Sequence, residues 1–108
     1  MDRFRIGTLR AYYGAMLTER QNELIRLHYD EDISLGELAE VFSVSRQAVL
    51  DGIKRGEAAL AEFEDKLRFV SRDRAVVGLL DEAVKRLDDA DGEGCRESIS
   101  RATALLEE

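Results

Sequence analysis

The chain contains no proline and no tryptophan, and only one cysteine and one histidine, among its 108 residues. A chain that lacks proline and is rich in Leu, Ala, Glu and Arg favours helices, because proline is the residue that disrupts a helix most strongly. No long run of Val, Ile or Thr alternates with polar residues, so strands are not indicated. We therefore predict an all-α protein.

The scarcity of cysteine and histidine excludes several kinds of site. Cys95 alone cannot form an internal disulfide, and Cys95 with His28 falls short of the three or four nitrogen and sulfur ligands of a zinc site. No cofactor is indicated, and no nucleophile–base pair or phosphate loop points to an enzyme. No run of about 18 apolar residues could cross a membrane. We expect a cytoplasmic protein without membrane insertion.

Three segments begin with a hydroxyl residue that can cap a helix. Thr18 and Ser34 are each followed, three residues later, by Gln or Glu, which is the spacing of a capping box. Ser45 precedes a further apolar pattern. The spacing of the apolar residues predicts a first helix over residues 3–16, and further helices that begin after each of these caps.

The two helices that follow Ser34 have the pattern of a helix-turn-helix, with the small residue Ala39 at the crossing. We expect a buried set of Leu38, Phe42, Val44, Val49 and Ile53. The polar side chains left outside the second helix are the candidate nucleic-acid-binding residues: Ser45, Arg46, Gln47, Asp51, Lys54 and Arg55.

These side chains differ in the part of a nucleic acid that they suit. Arg46 and Gln47 match guanine and adenine edges. Lys54 and Arg55 suit phosphates. Asp51, one turn from Gln47, would repel a phosphate. The pattern thus predicts base contacts at the front of the helix and backbone contacts about two turns behind it.

A heptad pattern extends the second helix of the motif over residues 45–70. Gly52 and Gly56 each cost about 1 kcal/mol in a helix interior relative to Ala. Either another element packs closely against them or they are simply tolerated, and we expect close packing. Such a seam can pair with a partner helix or pack within its own chain. We expect a homodimer, and the packing in cis remains open. The candidate seam residues are Val49, Ile53, Gly56, Leu60, Phe63, Leu67 and Val70.

The pattern divides the chain into a helix-turn-helix domain over residues 1–68 and a helical extension over residues 71–108. We expect the extension to pack in cis or across a dimer. Residues 71–73 (SRD) resemble a cap that starts a new helix, and residues 88–94 (DDADGEG) predict a loop. The apolar residues expected to line one face of each helix are Val76, Val77, Leu80, Val84 and Leu87, then Cys95, Ile99, Ala102 and Leu106.

The charge balance argues against tight DNA binding. The net charge is −7, divided into −3 for residues 1–68 and −4 for residues 69–108. Because affinity for DNA comes largely from the release of counterions by basic groups, a net-negative domain starts at a disadvantage. A local basic face of Arg46, Lys54 and Arg55, joined by the N-terminal arginines, could compensate. The consecutive acids of YDEDIS (residues 29–34) are expected to form a solvated loop.

The segment LTERQNELIRLHYDEDISLGELAEVFSVSRQAV resembles region 4 of bacterial sigma factors. Together with SLGELAE (residues 34–40), VSRQAV (44–49) and IKRGE (53–57), it is more similar still to the YlxM/p13 family of small helix-turn-helix proteins. The resemblance covers about residues 4–68. It implies a sigma region 4-like helical bundle, a dimer, and an accessory role in the signal recognition particle pathway, with a protein or RNA of that particle as partner.

Two functions of different class follow from these observations. The first is a helix-turn-helix regulator that binds DNA, favoured by the exposed basic residues of the motif. The second is an acidic helical adapter that binds proteins without reading nucleic acid, favoured by the net charge and the apolar seam. RNA is an unusual target for this motif, because the A-form major groove is too narrow for a helix.

Overall fold

A computed structural model describes residues 2–107, and this part of the chain is helical with no strand. The all-α prediction is confirmed. The chain separates into two compact units, residues 1–67 and 68–108. The first unit contains α1 (Arg3–Tyr13), α2 (Glu19–Ile25), α3 (Leu35–Phe42) and α4 (Arg46–Leu67), and the second contains α5 (Phe69–Asp88) and α6 (Gly92–Leu106).

Hydroxyl caps begin α2, α3 and α4, as the sequence predicted. Thr18 accepts from the backbone N–H of Gln21, and the Gln21 side chain accepts from the Thr18 N–H, which completes a capping box. Ser34 accepts from the Glu37 N–H at 3.1 Å, and Ser45 accepts from the Ala48 N–H at 3.0 Å. A cap is a local interaction, worth about 1 kcal/mol, so its position is readable from neighbouring residues. The first helix is shorter than predicted, because residues 14–16 form a 3₁₀ turn.

One side of α4 forms the core of the first unit. α4 contacts α1, α2 and α3, and its Val49, Ile53, Gly56 and Leu60 are buried. The side chains that complete this core come from the three earlier helices: Ile6, Leu9, Tyr13, Leu24, Ile25 and Leu38. The front of the predicted seam is therefore packed within its own chain and presents no surface to a partner.

The rear of the predicted seam does not continue α4. Phe63 is half-buried, with its ring centroid 6.1 Å from that of Tyr13, and Leu67 is 40% exposed at the helix end. Arg68 then adopts a left-handed conformation (φ 56°, ψ 29°), which interrupts the helix three residues before the predicted end. Val70 lies on α5 instead. No glycine or proline marks this break, so the uninterrupted heptad spacing concealed it.

The glycines of α4 lie where α2 approaches closely. A Cβ on Gly52 would fall 2.8 Å from Leu24 Cδ1, and one on Gly56 would fall 2.6 Å from Ile25 Cδ1. Contacts this short do not occur between real side chains without displacement. The expectation of close packing at these glycines is confirmed.

Two tyrosines of the first unit donate hydrogen bonds to carboxylates of α4. The Tyr13 hydroxyl donates to Glu64 Oε1 at 2.5 Å, and both side chains are buried. The Tyr29 hydroxyl donates to Glu57 Oε1. Tyr29 lies in a π-helical turn, Arg26–Asp30, that follows α2. Because Glu57 and Glu64 are seven residues apart, both acids lie on the side of α4 that faces the unit.

The acidic loop after α2 is bound to α1 by ion pairs. Arg3 pairs with Asp32, and Arg10 pairs with Asp30. The three acids are exposed, as expected of a solvated loop. The ion pairs were not foreseen, because the arginines of α1 lie 20 and 29 residues away in sequence and meet the loop only in the fold.

The second unit is a pair of antiparallel helices with a tighter turn than predicted. Residues 71–73 lie inside α5, so they do not start a new helix, and only residues 89–91 separate α5 from α6. Asp91 caps α6 by accepting from the Gly94 N–H at 2.9 Å, and it also accepts from Arg86 at 3.1 Å. A single aspartate that satisfies both helices allows Gly92 and Gly94 to be helical instead of forming the predicted loop.

The apolar faces predicted for α5 and α6 are mostly exposed. Val76 and Ala102 are buried, and Cys95 is partly exposed. The other members of the two predicted faces are exposed: Val77, Leu80, Val84, Leu87, Ile99 and Leu106. The helices contact each other instead along a line of smaller or polar residues that includes Ala83, Gly94 and Ser98. The apolar spacing was real, but it does not mark the contact between these two helices.

We predict that Gly56→Ala lowers the free energy of unfolding. The added Cβ would displace the buried Ile25 side chain, and overpacking of this kind costs about 1–3 kcal/mol, against a gain of about 1 kcal/mol in helix propensity. Gly7→Ala is the matched control, because nothing lies within 4 Å of its added Cβ, and it should stabilise the protein. Denaturant unfolding followed by circular dichroism measures both. Equal stabilisation by the two substitutions would contradict the close approach.

We predict that Tyr29 titrates only at strongly alkaline pH. Burial, the hydrogen bond to Glu57 and the charge of Glu57 raise the pKa of Tyr29 from 10.0 to about 12. The folded state thus holds this proton more tightly than the unfolded state, so its stabilising contribution is full below pH 10 and is lost as the pH rises towards 12.

The measurement is the alkaline absorbance titration of the tyrosines in the wild type minus that of Tyr29→Phe. The difference should titrate near 12 in the folded protein and near 10 in denaturant. A difference curve centred near 10 in both conditions would rule out the buried hydrogen bond.

Candidate nucleic-acid interface

The turn between α3 and α4 fixes the direction of α4 relative to α3. Ser43 has the left-handed conformation (φ 54°, ψ 45°) that often requires glycine in such turns. The Val44 N–H donates to the Ala39 carbonyl at 3.0 Å, and Ser45 then caps α4. Serine at this position therefore performs the role of the turn glycine, so the deviation from the usual motif leaves the geometry intact.

The prediction of which residues of the motif are buried is correct for the two helices and wrong for the turn between them. Leu38, Val49 and Ile53 are buried, and Phe42 is half-buried. Val44 is 39% exposed, because the turn carries it away from the contact between the helices.

The structure brings the predicted reading residues together on the exposed side of α4. Arg46, Gln47, Asp51, Lys54 and Arg55 are all exposed, opposite the buried line of Val49 and Ile53. Residues three and four positions apart share a helix face, so Gln47, Asp51 and Lys54 form one row, with Arg46 and Arg55 on its two sides. The sixth candidate, Ser45, is exposed, and its oxygen is occupied as the helix cap. We call the five exposed residues the reading surface.

Gln47 and Asp51 are joined within the reading surface. The Gln47 Nε2 donates to Asp51 Oδ1 at 2.9 Å. This bond holds the amide in one orientation and leaves its carbonyl oxygen open. The two residues can therefore act as one polar unit, in which the carboxylate lies beside the group that would meet a base.

Arg20 is a basic residue near this motif that the sequence did not identify as functional. Its Cζ atom lies 4.4 Å from the centroid of the Phe42 ring, a cation–π contact worth about 0.5–1 kcal/mol at an exposed site. Phe42 is the last residue of α3, so the contact holds the guanidinium beside the end of that helix. The sequence around Arg20 did not indicate this contact, because the contact joins residues 22 positions apart.

The N-terminal arginines were expected to add to the basic face, and two of the three are engaged elsewhere. Arg3 and Arg10 form the ion pairs with Asp32 and Asp30 described above. These pairs have a second effect, because they neutralise two acids of the first unit. Arg5, the third, is half-buried on α1. The basic residues on or beside the helix-turn-helix itself are Arg20, Arg46, Lys54 and Arg55.

Within residues 2–107, no three His, Cys, Asp or Glu side chains are grouped so that they could hold a metal ion. No helix in the same stretch is long and apolar enough to pass through a membrane.

Comparison with known proteins agrees with this geometry. The family model described as "Putative helix-turn-helix protein, YlxM / p13 like" matches residues 1–102. The chain belongs to this family, UPF0122. A UPF0122 protein of Symbiobacterium thermophilum is 48% identical over 100 residues, which cover 93% of this chain and 94% of the relative. A UPF0122 protein of Desulforamulus reducens is 41% identical over 102 residues, which cover 94% of this chain and 87% of that relative.

The UPF0122 match extends beyond the helix-turn-helix. It includes α5 and most of α6, whereas the resemblance read from the sequence ended near residue 68. A UPF0122 protein of Bacillus thuringiensis is 49% identical over 79 residues, covering 69% of this chain and 72% of the relative. The family identification from the sequence is confirmed, and the second unit belongs to the family as well as the first.

Proposed function

We propose that this UPF0122 protein is a DNA-binding regulatory protein that inserts the front of α4 into the major groove. The observation that carries the proposal is the division of α4 into two sides. Val49 and Ile53 are buried against the first unit, while the reading surface is exposed. A helix braced in this way by a preceding helix is the arrangement by which a helix-turn-helix presents side chains to base edges.

The residues of the reading surface divide into base-contacting and phosphate-contacting groups. Arg46 suits the two acceptors of guanine, and Gln47 suits adenine. Lys54 and Arg55, both about two turns further along α4, suit the phosphates that flank the groove. Arg20 extends the phosphate-contacting group to the end of α3.

The charge balance predicts weak binding that depends strongly on salt. Four basic groups surround the motif, whereas Asp51 on α4 and Glu37 and Glu40 on α3 oppose them. If the three phosphate-contacting groups, Arg20, Lys54 and Arg55, all meet phosphates, the logarithm of the binding constant should fall with the logarithm of the salt concentration with a slope of about −3. The acidic remainder of the protein then restricts binding to sites where base contacts add to this modest attraction.

A protein-binding adapter is the second candidate. The net charge of −7 and the exposed apolar side chains of α5 and α6 favour it. An acidic protein attracts basic partners, and the resemblance to the YlxM/p13 family directs the search to the protein or RNA of the signal recognition particle. The two candidates differ in a simple way, since only the first requires the reading surface.

We predict that the protein retards DNA in a gel-shift experiment with pooled genomic fragments at low salt. Arg46→Ala combined with Gln47→Ala should abolish the preference among fragments, because these side chains supply the base contacts. Lys54→Ala should weaken binding to all fragments alike and reduce the salt slope by about 1. Arg101→Ala, an exposed arginine of α6, is the control and should leave the preference unchanged.

The results that would contradict the proposal differ in what they imply. If no fragment is retarded at low salt, DNA binding is rejected and the adapter remains. If fragments are retarded but the double variant keeps their ranking, the protein binds DNA through another surface. A pull-down with the protein and RNA of the signal recognition particle tests the adapter separately.

We predict that Asp51→Asn strengthens DNA binding by about threefold. Removal of one negative charge roughly 6 Å from a phosphate relieves about 0.7 kcal/mol of repulsion in water. Asparagine can still accept from Gln47, so the orientation of the amide is kept. Asp65→Asn is the matched control, because Asp65 is an exposed acid on the same helix far from the front turn. Fluorescence anisotropy with a labelled fragment measures both. An equal effect of the two substitutions would mean that only net charge matters.

A further inference from the structure

Asp51 is the acidic member of the reading surface, and it lies at the centre of the exposed side of α4. It is two residues from both Val49 and Ile53, which are buried. At about 100° per residue, this spacing places Asp51 about 160° around the helix from each of them. When such a helix lies in the major groove, its outermost line faces the base edges and its flanks face the phosphates. The acid therefore lies where bases are met.

The carboxylate of Asp51 is directed toward the front of α4. Arg55 follows four residues later, which is the spacing at which an acid and a base pair favourably on a helix. The two side chains form no ion pair in the part of the chain that the structure describes. Asp51 Oδ1 instead accepts from Gln47 Nε2 at 2.9 Å, one turn toward the N-terminus. The carboxylate thus lies beside the turn that carries the base-contacting residues.

The second carboxylate oxygen of Asp51 is open to a ligand. Asp51 is exposed, and its bond to Gln47 uses Oδ1 alone among the contacts of residues 2–107. A carboxylate accepts hydrogen bonds and does not donate them. Gln47 must present its amide nitrogen to this acid, because its carbonyl oxygen is also an acceptor. The pair therefore offers a fixed pattern in which Asp51 Oδ2 is a free acceptor.

Cytosine is the base that best matches a free carboxylate oxygen. In the major groove cytosine presents an amino donor and no acceptor of its own. Adenine presents its amino group beside the N7 acceptor, and guanine and thymine present acceptors. A carboxylate attracts the first of these patterns and is repelled by the acceptors of the others. An acid at this position thus selects one base and opposes the remaining three.

The cytosine expected for Asp51 lies near the guanine expected for Arg46. The two residues are five positions apart, which corresponds to about 7.5 Å along α4. Successive base pairs are separated by about 3.4 Å. The two side chains therefore reach base pairs about two steps apart. The front of α4 accordingly selects a short element that depends on two G·C pairs.

We propose that Asp51 reads the amino group of a cosine-like donor on cytosine, and that its bond to Gln47 holds it in place for this contact. The inference rests on the proposed function and names the class of DNA site that the reading surface selects. It gives the acid a role in specificity, despite its repulsion of phosphates. The strengthening expected for Asp51→Asn therefore applies to DNA fragments that lack this cytosine.

Selection of bound duplexes from a random pool, with the full chain at low salt, tests this readout. The wild type should enrich sites with G·C pairs at two positions about two base pairs apart. Asp51→Ala should lose the preference at one position and keep it at the other, and Arg46→Ala should do the reverse. Asp65→Ala, which changes an exposed acid further along α4, is the matched control and should enrich the wild-type sites.

A modified base tests the hydrogen bond itself. N4-methylation of the selected cytosine blocks its N–H in the major groove and keeps the base pair. It should weaken wild-type binding about tenfold, as expected for a hydrogen bond to a charged acceptor, and should not weaken binding by Asp51→Ala. The same methylation on a cytosine outside the element should affect neither protein. Fluorescence anisotropy with labelled duplexes measures all four combinations.

Failure of the readout is separable from failure of DNA binding. If the wild type enriches a defined sequence that Asp51→Ala enriches equally, the readout is overturned and the proposed function stands. Equal sensitivity of both proteins to N4-methylcytosine has the same meaning. If the wild type retains no duplex at all, the proposed function and the readout both fail. Circular dichroism of Asp51→Ala should match that of the wild type, because Asp51 is exposed, so a lost preference would not reflect unfolding.

Discussion

The close contact between α4 and α2 is the constraint on which the first unit depends. Gly52 and Gly56 allow the backbone of α4 to approach Leu24 and Ile25 without a Cβ between them. This approach fixes the rotation of α4 about its own axis. The rotation in turn buries Val49 and Ile53 and turns Gln47 and Lys54 outward. A small residue on the inner side of the helix thus decides which side chains are presented on the outer side.

The same rotation places two acidic side chains of α4 where hydroxyl groups donate hydrogen bonds to them. It places Glu57 and Glu64 on the inner side, where the hydroxyls of Tyr29 and Tyr13 donate to them. Asp30 and Asp32 are bound by arginines of α1. Four acids of the first unit are therefore engaged away from the reading surface, and a net-negative domain can still present a locally basic strip.

Local signals in the sequence predicted much of this arrangement, and long-range contacts were the part that they missed. The caps at Thr18, Ser34 and Ser45 involve residues three positions apart, and all three were found where expected. The reading surface followed from helical spacing, and its residues are exposed together. The tyrosine–glutamate bonds, the contact of Arg20 with Phe42 and the break at Arg68 depend on residues or conformations that no neighbouring pattern encodes.

The second unit shows that apolar spacing alone does not identify which helix packs against an apolar face. A heptad stripe indicates that one side of a helix is apolar, but it does not identify the helix that packs against that side. On α4 the stripe is covered by its own unit, whereas on α5 it stays exposed beside a contact made of alanine, glycine and serine. Small residues let α5 and α6 approach closely, and the larger apolar side chains of both helices stay exposed.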